Sequence, residues 1–167
     1  MTAEEIDQAW EKAEEYLSEA EIVQLSLDNF LVKEAPESKT LEALEYMYPK
    51  MTFHLIGNEV FISNVSVEEA CSTGTHFMGH TIKASYLELM TLFGSPHELN
   101  IDGKVRAQWA LTIDGKVYTI YDGKSSFNPT LSYKKMLNWH IGSHSESTAE
   151  RAQEKINGKL NKMRRRQ

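Results

Sequence analysis

The chain has 167 residues, 41% of them hydrophobic, and a formal net charge of −6. That length and apolar content suit one ordinary domain, or one domain with a helical appendage, and argue against disorder. Cys71 is the only cysteine, which excludes an internal disulfide and points to a reducing compartment. No apolar run approaches the roughly 20 residues that span a bilayer, and the opening MTAEEIDQAWEK is acidic and amphipathic, unlike a signal peptide. A cytoplasmic protein that engages no membrane is expected. The charge is graded: residues 1–50 hold 13 Asp or Glu against 4 Lys or Arg, whereas residues 148–167 hold 2 against 7. The acidic start disfavours wrapping nucleic acid, and the basic end, Lys162 to Arg166, either touches phosphates or complements a helix dipole.

Thr2 followed by Glu5 is a capping box, so a helix starts at once. Ala3, Ile6, Trp10, Ala13, Leu17 and Ala20 form its apolar stripe, which packs on the chain's own core or pairs with a second copy in a homodimer. The apolar pattern continues through Ile22, Val23, Leu25, Leu27, Phe30 and Leu31, which reads as further helix to Val32. Pro36 breaks it. Ser38 or Thr40 then caps a short helix that Pro49 ends. Residues 51–56 and 59–65 read as strands joined by a turn at Gly57-Asn58. A loop or a brief helical turn follows over 66–74, then a strand over 76–84. Ser85 and Glu88 form a second capping box, and the helix they open buries Tyr86, Leu89, Met90 and Phe93 before Gly94 and Pro96 stop it.

The segment around Leu99 pairs, through a turn at Asp102-Gly103, with the hairpin that organises the rest. Two alternating runs, 105–113 and 116–121, flank Asp114-Gly115, a dipeptide that tolerates the positive φ angles of a type I′ turn. The turn sets Leu111 opposite Tyr118, Trp109 opposite Ile120 and Thr112 opposite Val117. One face, with Ala107, Trp109, Leu111, Ile113, Tyr118 and Ile120, must be buried. The other carries Arg106, Gln108, Ala110, Thr112, Val117, Thr119 and Tyr121. Past a loop at 125–130, residues 133–141 supply one more strand or a tight connection, and Ala149, Ala152, Ile156, Leu160 and Met163 mark a final helix.

No catalytic or metal motif is present, and no cofactor is implied. His76 and His80 have the four-residue spacing of a helical zinc pair, but in a strand they lie about 13 Å apart. Cys71 lacks a recognisable base, and Ser72 to Thr75 lacks the glycine pattern of a phosphate loop. The cluster with the most chemistry is Arg106, Gln108, Tyr121, Lys124, Trp139 and His140. Its cations suit phosphates and its rings suit a stacked base; the plainer account is that Trp139 is core and the charges are a solvated rim.

The series Phe93-Gly94-x-Pro96, Asp102-Gly103-Lys104-Val105, Trp109, Thr119-Ile120-Tyr121-Asp122-x-Lys124 and Trp139-His140-Ile141-Gly142 resembles a family of small, largely uncharacterised bacteriophage-encoded proteins. The likeness covers about residues 75–155, and Gly123 stands where that pattern leads one to expect a larger side chain. It implies a phage origin, action in the host cytoplasm, and binding of a host defence protein or sequestration of a nucleotide immune signal without catalysis.

The expected fold is α+β, a small, mostly antiparallel sheet backed by helices, with an acidic helical region at 1–50 and an α+β domain at 51–167. The ligand would sit against Arg106, Gln108, Tyr121, Lys124, Trp139 and His140, and a protein target would meet Glu11, Glu15 and Glu19. The alternatives are a small enzyme acting on a nucleotide or phosphate substrate with His140 as general base, and a DNA-associated module using the basic tail.

Overall fold

The computed structural model describes residues 2–64, 69–101, 105–123 and 133–166. The chain is α+β and divides into two compact units, Met1–Val65 and Ser66–Gln167.

The first unit runs α1 (Ala3–Glu19), β1 (Ile22–Ser26), β2 (Asn29–Val32), α2 (Ser38–Met47), β3 (Thr52–Ile56) and β4 (Glu59–Ser63). The capping box of α1 is formed: the Thr2 hydroxyl accepts from Glu5 N at 3.2 Å, and the Glu5 carboxylate accepts from Thr2 N at 2.7 Å. Ala9 and Ala13 of α1 pack on Ala43 and Leu44 of α2, with Tyr16, Leu17, Met47 and Phe53 around them. Ala9 lies off the predicted stripe, while Trp10, on it, stays 38% exposed.

Residues 22–32 are not helical, contrary to the helix expected there. Ala20 leaves α1 in an extended conformation, and β1 and β2 form a hairpin paired from Ile22↔Val32 to Ser26↔Asn29. Short apolar runs fit helix and strand periods alike. Here the choice is made by non-local pairing, because β2 also pairs with β4 through Phe30↔Ile62 and Val32↔Val60. The four strands form one antiparallel sheet in the order β1-β2-β4-β3. This pairing also moves the boundary: β3 and β4, expected to open a second domain at residue 51, belong to the first unit. The cap of α2 is corrected as well, since Glu37 occupies that position and makes no side-chain capping bond.

The second unit runs β5 (His76–Ala84), α3 (Tyr86–Phe93), β6 (Glu98–Ile101), β7 (Val105–Ile113), β8 (Lys116–Asp122), β9 (Leu137–Ser143) and α4 (Glu146–Arg165). Its five strands are antiparallel in the order β5-β9-β8-β7-β6. The central hairpin has the predicted register, with Leu111↔Tyr118, Trp109↔Ile120 and Thr112↔Val117. Asp114 (φ 51°) and Gly115 (φ 76°) both take the left-handed conformation that a type I′ turn needs. All six residues of the predicted inner face are buried.

Trp109 and Trp139 meet edge to face there at 5.6 Å between ring centroids, and Tyr86 of α3 lies 5.9 and 6.3 Å from them. Both indole N–H groups are satisfied by carbonyls, Gly94 O at 3.0 Å and Ala84 O at 2.9 Å, so the large rings are buried without an orphaned donor. α4 contributes Ala149, Ala152, Ile156 and Leu160, all buried. The capping box of α3 is present, with Glu88 N donating to Ser85 Oγ at 3.1 Å.

Two substitutions separate these contributions in urea denaturation. Trp139→Ala, which empties a fully buried site, is expected to cost about 3–5 kcal/mol. Ser85→Ala, which removes one cap, is expected to cost about 1 kcal/mol; equal losses would contradict the placement of Trp139 at the centre of the core.

Candidate functional site

Strand alternation puts neighbouring residues on opposite faces of the sheet. Trp139 therefore cannot share a face with His140, and the grouping of the two in one site is corrected: Trp139 is fully buried core. Register across the sheet brings other predicted residues together. Gln108 lies opposite Tyr121, Tyr121 opposite His140, and His140 opposite Thr81, so four strands contribute to one row. Gln108, Tyr121 and His140 are half-buried; Arg106, two residues along β7 on the same face, is exposed. Lys124 lies outside the described residues. Ala110 and Thr119 on this face are buried, although a mostly polar face was expected.

Phe77 of β5 was not foreseen. Its ring stacks on His140 at 4.3 Å with an interplanar angle of 16°, and Tyr121 meets the same imidazole edge-on at 5.5 Å. Phe77 reaches this position because β5 is irregular: Phe77 pairs with Gly142 and Thr81 with His140, leaving three residues of β5 against one of β9. Gly79, at φ 85°, lies in that bulge. The bulge has no plain signature in the sequence beyond Gly79 itself. Lys83, opposite Asn138 on the same face, is a second exposed cation that sequence reasoning missed.

Two glycines make room for the rings. A Cβ on Gly123 would lie 2.2 Å from Cε1 of His140, and one on Gly142 would lie 2.4 Å from Oγ1 of Thr119. Gly123 is thus the residue that lets the imidazole lie close over the end of β8, where a larger side chain was expected. Burial pushes the Tyr121 hydroxyl above its ordinary pKa.

Asp122 anchors the row from behind. It faces the core, 1% exposed, and its Oδ1 accepts from Arg106 N at 2.8 Å and Ala107 N at 2.9 Å. Those bonds hold the start of β7, and hence the backbone that carries Arg106. Its Oδ2 is buried without a hydrogen-bond partner among the described residues. Burial raises the Asp122 pKa, against the opposing pull of the two amide bonds and the Arg106 charge. The Tyr86 hydroxyl is raised too, by burial and then by the Asp122 charge.

His76 and His80 fall on β5, and His80 Nδ1 is bonded to Gln153 Oε1 at 3.1 Å. Among the described residues no group of three or more His, Cys, Asp or Glu is placed to hold a metal. Glu11, Glu15 and Glu19 form one exposed stripe on α1, and none is in an ion pair among the described residues. The basic end is partly committed to the fold, since Arg164 pairs with Glu88 at 2.7 Å and donates to Lys83 O. No described helix is long and apolar enough to cross a membrane. Comparison with protein-family models, curated proteins and solved structures gives no match.

The raised Asp122 pKa has a definite sign in the pH dependence of stability. The folded protein keeps this proton to higher pH than the unfolded chain does, so the associated stability is present below the unfolded value and is lost as pH rises through the folded one. Asp122→Asn cannot ionise and is expected to gain stability relative to wild type as pH rises across that window. Urea denaturation of both proteins from acid to neutral pH checks this; a constant difference would contradict it.

Proposed function

We propose that this chain is a non-enzymatic phage protein that counters host defence by binding, and that it sequesters a nucleotide immune signal on the sheet face that bears His140. One observation carries the reading: Phe77, His140 and Tyr121 already stack and tilt against one another on a face that also presents Arg106, Gln108 and Lys83. A nucleobase is a further aromatic plane for such a cluster, and guanidinium and ammonium groups are the usual partners of phosphate oxygens. Three strand spacings separate β7 from β5, about 14 Å, so Arg106 and Lys83 suit different phosphates of one ligand rather than a single phosphate.

Binding is favoured over turnover by how His140 is held. A general base is oriented by a third group bonded to its other nitrogen, whereas His140 is held by ring packing and its nitrogens have no hydrogen-bond partner among the described residues. The phage origin and the defence setting rest on the resemblance of residues 75–155 to phage-encoded proteins. Gln108 supplies a neutral amide that can read a base edge from the same row.

Native mass spectrometry of the protein mixed with a panel of linear and cyclic nucleotides tests the proposal. One nucleotide is expected to remain bound and to leave chemically intact on heating, with affinity lowered at least about tenfold, or 1.4 kcal/mol, in Arg106→Ala and in Tyr121→Ala. Failure of the wild type to retain any nucleotide of the panel, or recovery of the ligand cleaved, would overturn it.

A further inference from the structure

We infer that the groove between α1 and α2 is a docking site for a basic amphipathic helix of a partner protein. The inference rests on the first unit alone and is independent of the nucleotide reading. The groove has a volume of about 490 Å³ and is lined by the apolar Ile6, Ala9, Trp10, Ala43 and Tyr46 together with Lys39 and Glu42. Trp10 and Tyr46 are 38% and 74% exposed, and their ring centroids lie 5.9 Å apart. These are large aromatic surfaces packed on each other beside the core rather than within it. Aromatic anchors of that kind, set in an apolar trough between helices, are what a helix-in-groove contact uses.

Charge decides the occupant. α1 carries seven carboxylates against one lysine, a net of −6. Asp7 and Glu14, three residues before and four after Trp10, lie on its flank, and both are exposed. A second copy of α1 laid in the groove would bring its own Asp7 and Glu14 against these carboxylates, so the homodimer through this stripe is disfavoured. A helix with leucine-like residues at i, i+3, i+4 and i+7 and Lys or Arg on its edges meets both the apolar lining and the acidic flank of Asp7 and Glu14, with Glu42 offsetting Lys39 on the α2 side. The 17 residues of α1 and 10 of α2 span about 25 and 15 Å at 1.5 Å per residue, enough to seat two to three turns of such a helix.

Trp10 provides the readout, because the other two tryptophans, Trp109 and Trp139, are fully buried. A synthetic leucine-lysine helical peptide of about 18 residues, patterned i, i+3, i+4, i+7, is titrated into the full chain while tryptophan emission is recorded. The expected result is a saturable blue shift, with affinity reduced at least about tenfold by Tyr46→Ala. Glu15→Lys, on the side of α1 away from the groove, is expected to reduce affinity less than about threefold at physiological salt. The same peptide with glutamate in place of lysine is expected not to bind. Equal losses for the two variants, equal binding of the acidic peptide, or absence of any shift would overturn the inference. So would a self-associated wild type, seen by sedimentation, that Tyr46→Ala makes monomeric, because the occupant would then be a second copy.

Discussion

The edge-to-face contact of Trp109 with Trp139 sets the parity of the second sheet. Each indole is fully buried with its N–H bonded to a carbonyl, an arrangement that a one-residue slip of β7 or β9 would break by turning that strand's ring to the opposite face. Their fixed orientation dictates the rest of both strands. Arg106 and Gln108 must face away from the core because Ala107 and Trp109 face into it, and His140 must do so because Trp139 and Ile141 do. The chemistry of the outer face is therefore a consequence of core packing.

On that outer face, close approach positions the rings. Gly123 and Gly142 lack the Cβ atoms that would collide with His140 and Thr119, so the imidazole is pressed between Phe77 and Tyr121 instead of extending freely. Rings held in this way lose little further rotamer freedom on meeting a planar ligand, which lowers the cost of binding. Asp122 adds a constraint from the core side by fixing the backbone of Arg106. A buried carboxylate with one unpartnered oxygen is costly, and its two amide bonds at 2.8 and 2.9 Å offset only part of that cost.

Features set by contiguous residues were legible in the sequence: both capping boxes, the type I′ turn, the hairpin register and the stripe of α4. Features set by distant residues were not. Residues 22–32 fit a helical period, and only the edge of β4 makes them a hairpin. The division after Val65 has the same origin, since β4 finds its partner in β2 and carries β3 on its other edge. Phe77 joined the site through a bulge whose register no local pattern gives. The grouping of Trp139 with His140 is a different case, because adjacency in a strand already assigns them to opposite faces; the alternation used for the hairpin would have separated them. In α1, Ala9 took the core position that the stripe assigned to Trp10, and the larger ring was left at the surface.

On our proposal, the face opposite the paired indoles receives the nucleotide. The most direct measurement is a two-dimensional amide and indole NMR spectrum recorded as nucleotides are added. Shifts concentrated at Phe77, Arg106, Gln108, Tyr121 and His140, with the indole N–H signals of Trp109 and Trp139 unmoved, are the predicted result. A spectrum unchanged by every nucleotide, or one in which the buried indoles move while the outer row does not, would contradict binding on this face.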